Sequence, residues 1–318
     1  MSEKIEIAQQ RVVPLTSEAA TRRRTGLIFA VVGATTFSGK GIIVKLGYQF
    51  GSDAVTLLML RMLFALPLFI LMALWVGRGK PSLKSSDWIT LAGLGFLGFY
   101  LASALDFAGL KYITASLERL ILCLQPTLVL LFGWMFFKRK ILPRHVFGIA
   151  VSYAGVICVF GFEAARGENR SVGLGWLLVF LSTVSYATYL VWSGDFVKRL
   201  GSSRLVGIAT SFACLFAIVQ YFFLRPFESV YSIAPQVVWL SLLNATLCTI
   251  VPVLTVMLAI ERVGPAVASQ IGMLGPIFTI LLGVLILHEP FTIATALGAV
   301  LVISGVIIFT RADSAIKR

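Results

Sequence analysis

The feature that most constrains this chain is an ungapped internal repeat. Residues 112–160 align with residues 262–310, so that Pro126 falls on Pro276, Gly133 on Gly283, Gly148 on Gly298 and Gly155 on Gly305. Each copy is an apolar stretch broken by a proline, then a short polar break, then a second apolar stretch with spaced glycines. Self-similarity at a fixed spacing means that one structural unit has been used twice. Here the unit lies inside apolar segments too long for a soluble core, which points to a membrane transporter.

Composition agrees. The 318 residues are 58% hydrophobic and only 13% charged, about half the charge fraction of a soluble domain. A bilayer core of about 30 Å takes roughly 20 apolar residues as helix. Ten segments qualify: 25–47, 54–77, 88–110, 113–137, 144–162, 171–194, 204–225, 235–260, 265–287 and 291–310. They do not alternate with period two, as barrel strands would. The expected fold is an all-α integral membrane protein whose ten helices form two inverted five-helix repeats. The expected units are a disordered cytoplasmic tail (1–24), a first repeat (25–162), an outer linker (163–170), a second repeat (171–310) and a cytoplasmic tail (311–318). The polar N-terminal stretch ends in Arg22, Arg23 and Arg24, and it reads as a retained tail rather than a signal peptide.

The net charge of +13 would suggest nucleic acid in a soluble protein, but most of the basic residues lie in the polar breaks. Placing the N-terminus inside puts nineteen Lys and Arg in inner segments and four in outer loops: Lys111, Arg166, Arg170 and Arg225. Lys and Arg concentrate on the cytoplasmic side, so both termini are expected there, in a cell (inner) membrane. Five spans per repeat invert the second half, an arrangement that recurs in secondary transporters with a site between the halves.

The repeat resembles the drug/metabolite transporter superfamily, in its ten-span branch with two EamA-type domains. The resemblance rests on Pro276, Gly283, the Leu-His-Glu-Pro stretch at 287–290, Gly298 and Gly305. In the first half it rests on Lys45, on Arg61 within Leu-Arg-Met-Leu-Phe-Ala, and on Pro126. The chain departs from the family where His288 replaces the usual Gly before Glu289, and where Arg139 replaces the usual Glu. The resemblance implies a solute carrier of the inner or plasma membrane, often an exporter. Family substrates range over amino acids, nucleotide derivatives, sugar phosphates and drugs.

A charge inside a bilayer costs about 2.5–3.5 kcal/mol on insertion scales, so each is a functional candidate. Lys40, Lys45, Arg61, Asp106, Glu118 and Arg119 all belong to the first repeat; at the matched positions of the second, Glu118 becomes Ala268 and Arg119 becomes Ser269. Two readings stand. The cluster forms a cavity that attracts a carboxylate or other anion, or the long side chains pair and snorkel to the headgroups. Arg61 is expected to be structural. Thr114, Glu118 and Gln125 lie within about 60° on one helix face, running toward Pro126. That proline frees the carbonyl of Leu122, as Pro276 does in the second half beside Ser269 and Gln270. Such interrupted helices either face a cavity or simply bend to pack. Ser182, Ser185, Tyr186, Tyr189 and Ser193 form a polar and aromatic face, suited to stacking a solute or to helix–helix hydrogen bonding. The substrate-binding set is therefore Lys40, Glu118, Arg119, Gln125, Tyr186, Tyr189, Ser269 and Gln270, with Arg61, Pro126 and Pro276 as structural or gating residues.

No catalytic residue, metal site or cofactor is expected. Cys123, Cys158, Cys214 and Cys248 sit singly inside apolar runs, and His145 and His288 are isolated. Gly93-x-Gly95-x-x-Gly98 lacks the strand a dinucleotide fingerprint needs, so helix packing explains it better. The expected function is secondary transport by alternating access of a small metabolite, amino-acid-like, anionic or amphipathic, with export as its direction. The expected partners are a small-molecule substrate and the lipid bilayer, with no nucleic acid; proton coupling and a homodimer stay open. A membrane-embedded transferase would need a convergent nucleophile–base set, which the sequence does not offer. A non-transporting membrane partner would usually bring a soluble domain, and the loops are too short for one.

Overall fold

The computed structural model describes residues 17–79, 82–138, 141–166 and 171–316, the side chains of 17–20, 265, 266, 269, 270 and 311–316 excepted. Among the described residues nine helices are long and apolar enough to cross a membrane. They are Thr21–Gln49 (span 1), Ala54–Gly77 (2), Ser85–Leu110 (3), Ala115–Phe137 (4), Pro143–Arg166 (5), Val172–Trp192 (6), Ser202–Leu224 (7), Pro235–Gly264 (8) and Ile293–Thr310 (10). Span 9 is the exception. The helix leaving span 8 turns sharply at Gly264, where φ is +82°, continues to Gly272, and gives way to the short apolar helix Gly275–Leu287. At that φ a Cβ would be strained, so glycine suits the corner. The face at which span 1 starts is called the tail face below, and the opposite one the distal face.

The repeat is inverted, and its glycines show it. A Cβ on Gly148 would meet the Gly305 carbonyl at 2.8 Å, and one on Gly155 would meet the Gly298 carbonyl at 2.7 Å. Replacing each glycine by its repeat-mate 150 positions away turns one pair into the other, as a two-fold axis between spans 5 and 10 requires. Small residues at these points let the two backbones touch, which is how helices associate where lipid removes the hydrophobic drive. The remaining spans follow the same axis. Span 1 packs on span 8 through Gly26 and Gly33, and span 6 packs on span 3 through Gly175 and Gly109. Span 2 meets span 7 where Gly207 approaches Ala73.

Irregularities repeat too. Span 3 carries a π-helical segment at Phe96–Leu101, and span 8 carries one at Thr246–Ile250. Span 4 breaks between Leu122 and Gln125, span 9 between Gly272 and Gly275. The prolines therefore do not kink continuous helices. Each sits in the first turn of a new helix, where its missing N–H would be unpaired in any case. Span 1 is interrupted as well, at Gly39 between Ser17–Ser38 and Lys40–Gln49. Lipid-facing residues such as Leu74, Trp75, Trp239 and Ile293 are more than half exposed.

At the distal face, Asp53 caps span 2 by accepting from Thr56 N at 2.7 Å, and it pairs with Arg225 at the end of span 7. Burial raises the Asp53 carboxyl, but the Thr56 bonds and Arg225 more than offset it and hold it below its usual range. At the tail face Arg199 reaches Asp87 at 2.5 Å.

Candidate functional site

The interrupted helices converge. A cavity of about 470 Å³ lies where spans 1, 4 and 9 break and spans 3 and 8 are π-helical. Backbone irregularity inside a membrane is tolerated where it lines a cavity or is buried in protein, and the breaks are tied together. Ser38 Oγ donates to the Gly275 carbonyl at 3.0 Å, and Thr279 Oγ1 donates to the Ser38 carbonyl at 3.2 Å. The Lys40 carbonyl accepts from Asn244 Nδ2 at 3.4 Å.

The distal end of the cavity is charged. Lys40 Nζ lies 2.6 Å from Asp106 Oδ2 and 3.5 Å from Glu118 Oε1. All three side chains are buried, Asp106 and Glu118 almost completely. Such a cluster is stable only while its charges are matched, because an unpaired charge away from water is costly. Glu118 sits behind the lining, with Gly41 of span 1 packed against its carboxylate. Glycine leaves the room there: a Cβ on residue 41 would come within 3.3 Å of Glu118 Oε2.

Two further cations face the cavity. Arg61 is buried, donates from Nε to Thr249 Oγ1 at 2.9 Å in the second π-helical segment, and lies over the Phe107 ring at 5.4 Å. Its buried Nη1 has no hydrogen-bond partner among the described residues. Arg119 lacks the side-chain bond that Arg61 makes. Its guanidinium rests 5.0 Å from the Phe37 ring, and its buried Nε has no hydrogen-bond partner among the described residues. It fits because residue 275 is glycine; a Cβ there would collide with the Arg119 guanidinium.

The middle and tail parts of the lining are apolar and aromatic, with Phe69, Phe99, Tyr186 and Met273, interrupted by Ser103, Thr183 and Thr210. Gln125, Pro126 and Pro276 line it at the helix breaks. Tyr189 does not. It is buried behind the wall, edge-on to Phe99 at 5.0 Å. The serines of span 6 mostly serve helix contacts: Ser182 donates to the Ala102 carbonyl and Ser185 to the Leu97 carbonyl, both at 2.7 Å. Leu97 belongs to the π-helical segment, where the altered ladder needs such a donor. The side chains of Ser269 and Gln270 lie outside the described residues.

The expected shared face of Thr114, Glu118 and Gln125 is divided by the break in span 4. Thr114 caps the helix by accepting from Leu117 N at 3.0 Å, Glu118 turns to Lys40, and Gln125 begins the next helix at the cavity. Lys45, grouped with the charge cluster in the sequence, instead lies 3.9 Å from Glu289 near the distal face. The sequence reading missed Phe37, Thr183, Thr210 and Thr249 as wall residues. Phe37 carried a usable signal, one turn before Lys40. The threonines carried none, since hydroxyls also bond within their own helix.

Among the described residues no group of three His, Cys, Asp or Glu is arranged to hold a metal. A solved crystal structure of a protein superposes with a TM-score of 0.60 at 19% identity, covering 91% of this chain and 98% of its own, which shows a shared fold. An uncharacterized transporter, YcbK, of Bacillus subtilis is 29% identical over 86% of this chain and 88% of its own length. An uncharacterized transporter of Archaeoglobus fulgidus is 25% identical over 90% of this chain and 97% of its own. The sequence profile of the EamA-like transporter family matches residues 24–161 and again 173–311. With both repeats matched and a ten-span inverted fold, the chain belongs to the EamA-like transporter family and is a multi-pass membrane transporter.

Proposed function

We propose that this transporter is a secondary carrier, not an enzyme, that works by alternating access and exports a small amphipathic solute bearing a carboxylate or other anionic group. The observation that carries this reading is Arg119. Lys40 is matched by two carboxylates and Arg61 bonds Thr249 through Nε, whereas the Arg119 guanidinium lines the cavity between the Phe37 ring and Gly275, its Nε without a hydrogen-bond partner among the described residues. Arginine offers a planar fork of donors that suits a carboxylate. The aromatic wall toward Tyr186 supplies a surface for an apolar body.

The cavity's position supports export. Its lining runs from the Lys40–Asp106 layer toward the tail face, reaching Val206 and Val306, each about one turn from the tail-side end of its span. Beyond that layer, on the distal side, Leu110 and Leu117 are fully buried. The asymmetry of Lys and Arg favours the tail face as the cytoplasmic one, so solute would load from inside. The first repeat, 25–162, and the second, 171–310, are the bodies that would rock about the breaks at Pro126 and Pro276. Glu118 is the group we assign to a coupled proton, since it is buried beside Lys40 just behind the site.

The test is counterflow in proteoliposomes loaded with candidate solutes. Saturable exchange of amphipathic carboxylates, lost in Arg119→Ala, is the expected result. Equal rates for Arg119→Ala, or exchange of cations alone, would overturn the reading. Transport that ignores both a pH gradient and Glu118→Gln would remove the proton role while leaving the carrier.

A further inference from the structure

Span 4 starts at Ala115, close to the distal face, and its start is held by carboxylates from two other segments. Glu289, in the connection between spans 9 and 10, accepts from Ala115 N at 2.7 Å with Oε1. Its Oε2 accepts from Ser116 N at 3.3 Å and from Ser116 Oγ at 2.9 Å. Glu163, near the end of span 5, accepts from Thr114 N at 3.4 Å and also from Thr114 Oγ1. Lys45 of span 1 lies 3.9 Å from Glu289. The first N–H groups of a helix lack partners within it and carry a partial positive charge. Two carboxylates answer both needs, and the bonds are charge-assisted.

From these contacts we infer that Glu289, supported by Glu163, is a latch that holds the distal end of the carrier shut. The inference rests on the carrier reading above. Glu289 belongs to the second repeat and the helix it grips to the first, so any movement that parts the repeats at the distal face must break these bonds. The surroundings are shaped for the carboxylate. A Cβ on Gly283 would come within 2.9 Å of Glu289 Oε2. The chain reaches Glu289 through His288, at φ +54°, and Glu289 N donates back to the Gly283 carbonyl at 3.0 Å.

Among the described residues this carboxylate grip has no twin at the tail face. The repeat places Arg139 where Glu289 stands, and an arginine cannot accept from a backbone N–H. The matching helix begins at Gly264 and Pro265, and proline has no N–H to offer. The scaffold is symmetric, but the kind of contact that closes each face is not. At the tail face the repeats are joined by the half-exposed Arg199–Asp87 pair and by Arg22 donating to the Glu261 carbonyl; exposed pairs contribute little, so the more enclosed carboxylate latch favours the state closed at the distal face.

Site-directed labelling of the full chain tests this. Cys123, Cys158, Cys214 and Cys248 are replaced by alanine, and Ser103→Cys in the cavity lining serves as reporter. A membrane-impermeant maleimide is added from either side of the vesicles. Separate Ser232→Cys and Ser85→Cys chains mark the distal and tail faces. With the latch intact, residue 103 should react mainly from the tail side. Glu289→Gln should raise the distal-side rate about tenfold, Gly283→Ala should do so through a different atom, and Glu163→Gln with Glu289→Gln should raise it further. Normal tail-side labelling shows that each variant has folded. An unchanged distal-side rate in all three overturns the latch and leaves the carrier standing. Reaction from neither side in any chain overturns the accessible cavity, and the latch with it.

Discussion

Span 4 resumes after Leu124, whose φ and ψ are −76° and −9°, and span 9 resumes after Leu274, at −74° and −11°. Both new helices end on a left-handed residue, Lys138 at φ +53° and His288 at φ +54°. The geometry of the two halves is nearly the same, yet their chemistry is not. Span 4 brings Glu118 and Arg119 to the centre of the molecule, where span 9 has Ala268 and Ser269. Backbone geometry is set by glycine and proline, which the repeats share. Recognition is set by charges, which they do not. A carrier built this way keeps its rocking scaffold symmetric while the solute is gripped from one side.

Breaking the charged half should have the largest effect. Lys40→Met leaves Asp106 and Glu118 buried beside each other with no ammonium between them. Removing one partner of a buried ionic cluster costs about 3–5 kcal/mol. The expected outcome is little folded protein in the membrane, measured by detergent-resistant monodispersity. Adding Glu118→Gln to Lys40→Met should recover part of it, because one of the orphaned charges is then gone. A Lys40→Met chain as stable as the parent would mean that the cluster is neutral in the membrane.

Arg119→Gln should act differently, sparing the fold and costing transport. A charged hydrogen-bonding group contributes about 1.5–3 kcal/mol, so apparent affinity for a carboxylate solute should fall roughly ten- to hundredfold. Gly275→Ala should give a smaller loss of the same kind by displacing the guanidinium. Counterflow across a concentration series measures both. A loss of maximal rate with unchanged half-saturation would argue that Arg119 serves the conformational change rather than the solute.

The symmetric half should answer symmetrically. Gly155→Ala and Gly298→Ala both push a methyl group into the span 5 and span 10 contact, where the facing carbonyls lie within 3 Å of the added Cβ. Overpacking typically costs about 1–3 kcal/mol, and the two variants should lose similar thermal stability. Unequal losses would show that the two-fold axis is less faithful than the backbone suggests.

How much of this was legible in the chain depends on the kind of residue. Pro126, Pro276 and the paired glycines exposed the repeat, because each can be exchanged only at a cost to backbone geometry. Lys40, Arg119 and Glu118 were legible as candidates because a bilayer penalises charge. What the sequence could not show was the division of labour among them. Lys45 follows Lys40 by five residues on the same helix, which turns it about 140° away, so one meets Asp106 and the other lies near Glu289. Glu163 and Glu289 look like ordinary loop and helix-end acids until the fold brings both to Thr114, Ala115 and Ser116. Periodicity also drew span 4 as one helix, since hydropathy does not register a two-residue break.

The smallest expected effect lies at the twin helix ends. Lys138 and His288 occupy the left-handed region, where a Cβ crowds the neighbouring carbonyl at a cost of about 1–2 kcal/mol. At each end a backbone N–H at the cap returns to the helix's last glycine, Gly133 or Gly283, and at the second end the donor is Glu289. Glycine would keep that bond without the crowding, but it costs about 0.5–1 kcal/mol more backbone entropy on folding. The net gain should be about 0.5–1 kcal/mol for Lys138→Gly, read as a small rise in melting temperature. His288→Gly should gain the same if its only role is to end the helix. Residue 288 also aims Glu289 at span 4, and a glycine there loosens that aim. A His288→Gly chain that gains less than Lys138→Gly, and labels faster from the distal side, would separate the two ends by the one task they do not share.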